Sequence, residues 1–260
     1  MSDFDGTPSF YTSEEAFEKY LGQTSYYRGL QRAVTALASE LMPNSIIEFG
    51  SGTGNTTLAL AEELPNAQIV GIDNRSSVTE ISRSNAQKMG AENCRFETAD
   101  MIEYVSEADS LPELAVMLYS FHHIPDPNER KISFLEDCYR ALSTGGHVCI
   151  AETFIQMEPQ SEAATRRVRT RWVNRGLEAY ASTFWSALEG VEGDAIEHAQ
   201  DVGEFARDHE LEAGENVRTR DEEYLITRDW LETAATDVGF EVVLSEPVNA
   251  FGESVVLLGK

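Results

Sequence analysis

Ile46-Ile47-Glu48-Phe49-Gly50-Ser51-Gly52-Thr53-Gly54-Asn55-Thr56-Thr57 is the stretch that decides how this chain is read. Ile46, Ile47 and Phe49 form a short apolar run that stops at a glycine cluster, the pattern of a buried parallel strand. From Thr57 the sequence turns Ala- and Leu-rich and predicts a helix up to Leu64. Glycine at every second position lets the backbone take positive φ and lets a ligand approach without a Cβ in the way. The first N–H groups of the helix then point, unbonded, into the crevice. The order Glu48-x-Gly50-x-Gly52-x-Gly54 differs from the G-x-G-x-x-G of dinucleotide folds and puts an acid two residues before the first glycine. On its own the loop is either a ligand cradle or a tight turn, so its surroundings must decide.

Downstream, Gln68-Ile69-Val70-Gly71-Ile72-Asp73 predicts a second buried strand that closes on an acid, with Asn74 after it. A carboxylate at that place accepts hydrogen bonds from ribose hydroxyls, although Asp73-Asn74 also suits a turn. A helix over Ser77–Gly90 leads to strand three, Cys94–Ala99, followed by Asp100-Met101. Strand four and its exit run from Glu113 to Asp126 and carry Tyr119, Ser120, His122 and His123. Neutral histidine takes a proton from a hydroxyl or amine near pH 7. The alternative is structural, one His packing in the core and the other capping a helix from Asn128 to Leu142. Gly145-Gly146 then turns the chain into strand five, ending near Glu152. Thr227 is a candidate cap for a helix over Trp230–Val238, Gly239 ends it, and Glu241–Leu244 and Ser254–Leu258 read as two strands. Upstream, residues 9–42 read as helices, with Ser13-Glu14-Glu15 a cap and Leu30, Val34, Leu37, Ala38 and Leu41 at helical spacing.

A chain of 260 residues fits one elaborated α/β domain, or two small ones. No stretch reaches the ~20 apolar residues of a membrane span, and Met1–Thr12 lacks the basic-then-apolar order of a signal peptide. Cys94, Cys138 and Cys149 are scattered and odd in number, which argues against a disulfide frame or a zinc site. A cytoplasmic location is expected. Asp and Glu outnumber Lys and Arg 45 to 20, for a formal charge of −25. Lysine occurs only at Lys19, Lys88, Lys131 and Lys260. Such a surface repels phosphate backbones, so neither a nucleic-acid nor a membrane partner is expected. It resembles the acidic, lysine-poor surfaces of salt-adapted proteins.

Taken in order from Ile46 to Lys260, these landmarks resemble the class I S-adenosylmethionine-dependent methyltransferases. The resemblance implies a Rossmann-like α/β fold with a seven-stranded sheet, helices on both faces and a helical lid. It implies S-adenosylmethionine as cofactor and S-adenosylhomocysteine as product. Glu48, Gly50, Ser51, Gly52 and Gly54 would hold the methionine part, and Asp73 and Asn74 the ribose. Asp100 would reach the adenine amino group, with the Met101 N–H on a ring nitrogen, unless Asp100 only caps the next helix. Tyr119 and Ser120 would stand beside the sulfur, and Tyr27 would close over the site from an N-terminal lid (1–44), unless the aromatic residues Phe10, Tyr11, Tyr20, Tyr26 and Tyr27 only pack on the sheet. His122 and His123 are the candidate catalytic pair. The methyltransferase domain would span 45–260. No acid ends strand four where metal-dependent relatives place a ligand, so no metal is expected.

Residues 153–226 interrupt the landmarks and have helical composition, the expected place of a substrate cap. Arg166, Arg167, Arg169, Arg171 and Arg175 cluster there, either as an anion clamp or as partners of nearby surface Glu residues. Trp172, Tyr180, Phe184 and Trp185 read as packing, and Asp194–Glu215 as an acidic, solvated stretch. Ile72-Asp73-Asn74, Pro127-Asn128-Glu129-Arg130, Glu152-Thr153-Phe154 and Phe251-Gly252-Glu253-Ser254-Val255 resemble the carboxy-S-adenosylmethionine synthase branch. Tyr119, where that branch would hold an asparagine, departs from it. The expected activity is methyl transfer to O, N or C of a small molecule, in a protein compatible with a homodimer. The alternatives are a carboxy-S-adenosylmethionine synthase-like enzyme or a non-catalytic cofactor-binding protein. An NAD-dependent oxidoreductase would share Asp73 but not the Glu48 spacing.

Overall fold

The computed structural model describes residues 22, 24–126, 128–155, 162–188, 195–219, 224–249 and 252–260, and of these the side chains of all but 162–169, 186–188, 195–198 and 216–219. Helix α1 (Ser25–Leu41) precedes strand β1 (Ser45–Phe49), helix α2 (Asn55–Glu63) and strand β2 (Gln68–Asp73). Then come α3 (Ser76–Met89), β3 (Cys94–Thr98), α4 (Met101–Glu107) and β4 (Leu114–Leu118). After a 3-10 turn at Phe121–His123 follow α5 (Glu129–Ala141) and β5 (His147–Thr153). Two long helices, α6 (Glu162–Leu188) and α7 (Ala195–Thr219), come next, and α8 (Arg228–Val238), β6 (Glu241–Pro247) and β7 (Glu253–Gly259) finish the chain. Of the helical reading of 9–42, the described part is α1 alone. The Ser13-Glu14-Glu15 cap and Phe10, Tyr11 and Tyr20 lie outside the described residues, as does Pro127.

The sheet order is β3-β2-β1-β4-β5-β7-β6. β1 to β5 pair in parallel, and β7 runs antiparallel between β5 and β6. This is the Rossmann-like methyltransferase sheet. The central strands are apolar on both faces because helices cover both. Successive residues alternate between two cores, with period two. Ile47, Phe49, Ala115, Met117, Val148 and Ile150 meet Phe134, Leu135 and Leu231 from α5 and α8. Ile46, Leu114, Val116, Cys149 and Ala151 meet Leu30, Val34 and Ala38 of α1 and Leu60 of α2. The cap of α8 is the expected one, Thr227 accepting from the Trp230 N–H at 3.1 Å.

The segment after β5 departs from its reading in two places. Asp194–Glu215, read as solvated, lies largely in α7, which buries Ala199, Val202, Ala206 and Glu210. Gly214 of α7 meets Trp172 of α6 so closely that a Cβ there would lie 2.4 Å from its ring. Trp172 is therefore packing, as read, while Trp185 is 65% exposed with its ring set against Phe184 at 5.4 Å.

Candidate active site

The parallel register sets one edge of the sheet level. Phe49 lies beside Ile72 and Met117, and Asp73 beside Thr98. The chain therefore leaves four neighbouring strands at Gly50, Asn74, Ala99 and Tyr119, around the point between β1 and β4 where the strand order reverses. Ligands of open α/β sheets bind in such a crevice. Gly50, Gly52 and Gly54 have φ of 72°, 54° and 91°. At Gly50 a Cβ would lie 2.5 Å from that of Ser120, so the β1 loop passes hard against the exit of β4. Ser120 is buried there and donates to the Phe49 carbonyl at 2.6 Å, while the Ser51 N–H donates to the Ile72 carbonyl at 2.8 Å. Glu48, between two residues of the other core, turns to the α2 face and accepts from the Thr57 hydroxyl.

Asp73 is buried, its Oδ2 accepting from the Gly52 N–H at 3.1 Å and its Oδ1 from the Arg75 N–H at 3.0 Å. Asn74 beside it is exposed. Of the two readings of Asp100, capping is the one observed: its Oδ1 accepts from the N–H groups of Ile102 at 2.8 Å and Glu103 at 3.1 Å. Met101 is half-buried on the first turn of α4.

Tyr119 takes φ 52°, one of two non-glycine residues with positive φ among those described. For an L-residue that conformation costs roughly 1–2 kcal/mol and persists only where the surroundings impose it. Its N–H donates to the Ala151 carbonyl at 3.0 Å, its hydroxyl to Glu253 Oε1 at 3.2 Å, and its ring stacks on Tyr27 at 5.9 Å. Burial, and then Glu253, push its phenol well above the usual tyrosine range. His122 is buried with Nδ1 2.8 Å from Glu152 Oε2, whereas His123 is exposed, its ring 4.0 Å away.

Behind Tyr119 lies a buried charge cluster. Arg175 of α6 donates through Nε to Glu210 of α7 at 2.7 Å, and through one terminal nitrogen to Glu253 at 2.6 Å and Thr153 at 2.7 Å. Its guanidinium lies 4.4 Å from the Tyr26 ring and 4.6 Å from that of Trp172. The Tyr26 hydroxyl donates to Glu210 at 2.6 Å. Burial alone would lower the Arg175 pKa, but Glu210 and the neighbouring acidic groups outweigh it and hold the guanidinium charged. Glu253 is fully buried and its Oε2 has no hydrogen-bond partner among the described residues. For Arg175 neither sequence reading holds. Arg175 is neither a surface partner nor an open anion clamp, its donors being filled from within. Arg171, half-buried, donates to the Phe154 carbonyl at 2.8 Å, and the side chains of Arg166, Arg167 and Arg169 lie outside the described ones. Glu152, Thr153, Glu210 and Glu253 were not read as site residues. For Glu152 and Glu253 an acid within an apolar strand was the available signal; Thr153 and Glu210 carried none.

A family described as a methyltransferase domain matches residues 44–189. The chain belongs to that family. The chain shares its fold with human N-acetylserotonin methyltransferase, solved in complex with SAM, with a TM-score of 0.51 at 13% identity, over 94% of this chain and 58% of that one. It is 30% identical over 122 residues to a demethylmenaquinone methyltransferase of Thermus thermophilus, covering 47% of this chain and 53% of that protein. It is 28% identical over 149 residues to a trans-aconitate 2-methyltransferase of Variovorax paradoxus, covering 55% and 52%. The chain thus spans about half the length of these curated relatives. The solved CurJ carbon methyltransferase shares its fold with a TM-score of 0.61 at 13% identity, over 96% of this chain and 58% of that one. Among the described residues of the methyltransferase domain, no helix is long and apolar enough to cross a membrane, and no three His, Cys, Asp or Glu side chains are grouped to hold a metal.

Proposed function

We propose that this chain transfers a methyl group from S-adenosylmethionine to an oxygen, nitrogen or carbon atom of a small molecule. The observation that carries the reading is the alignment of the Gly50–Gly54 loop, Asp73, Asp100 and Ser120 along one sheet edge, at the reversal of strand order. That acceptor set suits the cofactor. Asp73 would take ribose hydroxyls, with Asn74 beside it. Asp100, which caps α4 through Oδ1, would take the adenine amino group through Oδ2, with the Met101 N–H on the ring. Gly50, Ser51, Gly52 and Gly54 would line the methionine end, and Glu48 would orient α2 beneath it through Thr57. Tyr27 and Tyr119 would wall that end. The cofactor supplies a methyl on a sulfonium; as the acceptor's lone pair bonds to it, the carbon–sulfur pair stays on sulfur.

Holding the acceptor in line is the main contribution left to the protein. His122 takes the acceptor's proton where one is lost. Glu152 orients it and keeps the proton on Nδ1, leaving Nε2 as the basic nitrogen. His123, exposed beside it, is its second candidate. Helices α6 and α7 form the substrate cap, and α1 the described part of the N-terminal lid. A small acceptor suits the formal charge of −25, which opposes phosphate polymers. A carboxyl-transfer reading would want an arginine open to a carboxylate, and Arg175 is already filled by Glu210 and Glu253.

Calorimetric titration with S-adenosylmethionine, S-adenosylhomocysteine and NAD, in low and high salt, tests the reading. Micromolar binding of the first two but not NAD, lost in Asp73→Ala, is expected. Binding of NAD alone, or of none in the folded protein, would sink it.

A further inference from the structure

We infer that Arg175 is a positioning residue: through Glu253 it holds Tyr119 in its left-handed conformation, and so ties the docking of α6 to the shape of the cofactor crevice. The inference rests on the proposed function, because it assigns the crevice beside Tyr119 to the cofactor.

Tyr119 is the one non-glycine residue of positive φ on the crevice edge; the other, Met42, ends α1. A tyrosine gains nothing from that conformation by itself, so neighbouring groups must impose it. Its hydroxyl has one anchor in the described structure, Glu253 Oε1, and that oxygen is shared with Arg175 at 2.6 Å and Thr153 at 3.1 Å. The Arg175 guanidinium also lies 5.7 Å from the Tyr119 ring. One residue further, Ser120 is bonded to the Phe49 carbonyl and packs where a Gly50 Cβ would be. A shift in the Tyr119 backbone would therefore move Ser120 against the glycine loop. The route runs from α6 to the loop through contacts of 3.2 Å or less until it enters the backbone.

The opposite end of Arg175 explains why α6 must be docked for this to operate. Nε is held by Glu210, Glu210 is held by the Tyr26 hydroxyl of α1, and the guanidinium is flanked by Tyr26 and Trp172. Two carboxylates face one guanidinium, and a carboxylate oxygen of Glu253 is buried without a donor among the described residues. Such a cluster is costly to build for stability alone, since apolar packing would serve as well. Its use is geometric. Arginine reaches Glu210 and Glu253 from two separate nitrogens held in one plane, whereas an ammonium offers a single rotatable nitrogen in place of that fork.

A double-mutant cycle on cofactor affinity tests this, with S-adenosylmethionine titrated into the full-length protein. Arg175→Lys keeps the charge and loses the fork. Tyr119→Asn keeps a residue that tolerates positive φ and loses the hydroxyl. Arg175→Lys should weaken binding roughly tenfold in the wild-type background and less than about twofold in the Tyr119→Asn background. A stabilising role alone would lower the melting temperature in both backgrounds without coupling to Tyr119. Equal losses of affinity in both backgrounds, or no loss in the folded Arg175→Lys protein, overturn the inference. Should Arg175→Lys not fold, Arg175→Met/Glu253→Gln replaces it in the same cycle, removing one positive and one negative charge together. Failure of the folded wild type to bind removes the proposed function and this inference with it, whereas additive losses with wild-type binding intact remove only the inference.

Discussion

Gly50 shows how much one backbone position constrains. It combines φ 72° with a neighbour 2.5 Å from where a Cβ would sit, and that neighbour is the Cβ of Ser120, not the end of a flexible chain. Gly50→Ala should lower unfolding free energy by about 2–4 kcal/mol from backbone strain and overpacking together. Urea unfolding would measure it; a midpoint unchanged from wild type would show that the loop can relax away from Ser120. Asp73 and the glycines were legible in the sequence because their constraints are local, a loop a few residues long and a strand ending on an acid. The Arg175–Glu253 pair was not, because its partners are 78 residues apart and meet only once β7 is laid beside β5. The arginines were read by charge and spacing on one helix, which cannot tell an inward-facing residue from an outward-facing one when the buried partner is itself charged.

At the level of elements, the strands and short helices matched their sequence patterns because each carries an apolar run or stripe. Helix α7 did not. Its buried stripe is made of Ala199, Val202, Ala206 and Glu210, small or charged residues set among many acids, so the sequence around it looks solvated. Small residues are what allow α7 to lie close on α6, and Gly214 against Trp172 is the tightest such approach. Gly214→Val should separate the two helices while leaving the sheet intact. Hydrogen exchange would show it as faster exchange across 170–215 with unchanged protection in β1, β4 and β5. Equal loss of protection in both regions would mean that the helical pair and the sheet unfold as one unit.

Across the whole molecule the excess of acidic residues sets the response to salt. Like charges at this density repel one another in the folded state more than in the extended chain, and added electrolyte relieves that. The Debye length falls from about 10 Å at 0.1 M to about 3 Å at 1 M, so most of the surface repulsion is screened by then. The melting temperature should accordingly rise between 0.1 M and 1 M potassium chloride. A fall would show instead that attractive pairs such as Arg95–Glu97 and Arg140–Asp137 outweigh the net repulsion.

Strand β7 comes after β6 in sequence, yet it lies between β5 and β6 in the sheet, buried at every residue from Glu253 to Gly259. A ribosome delivers a protein from its N-terminus, so β1 to β5 leave the exit tunnel well before β7 does. Until then β5 has a bare edge, β6 has nothing to pair with, and Tyr119 lacks Glu253. The crevice therefore takes its final shape only once β7 has been delivered to the edge of β5.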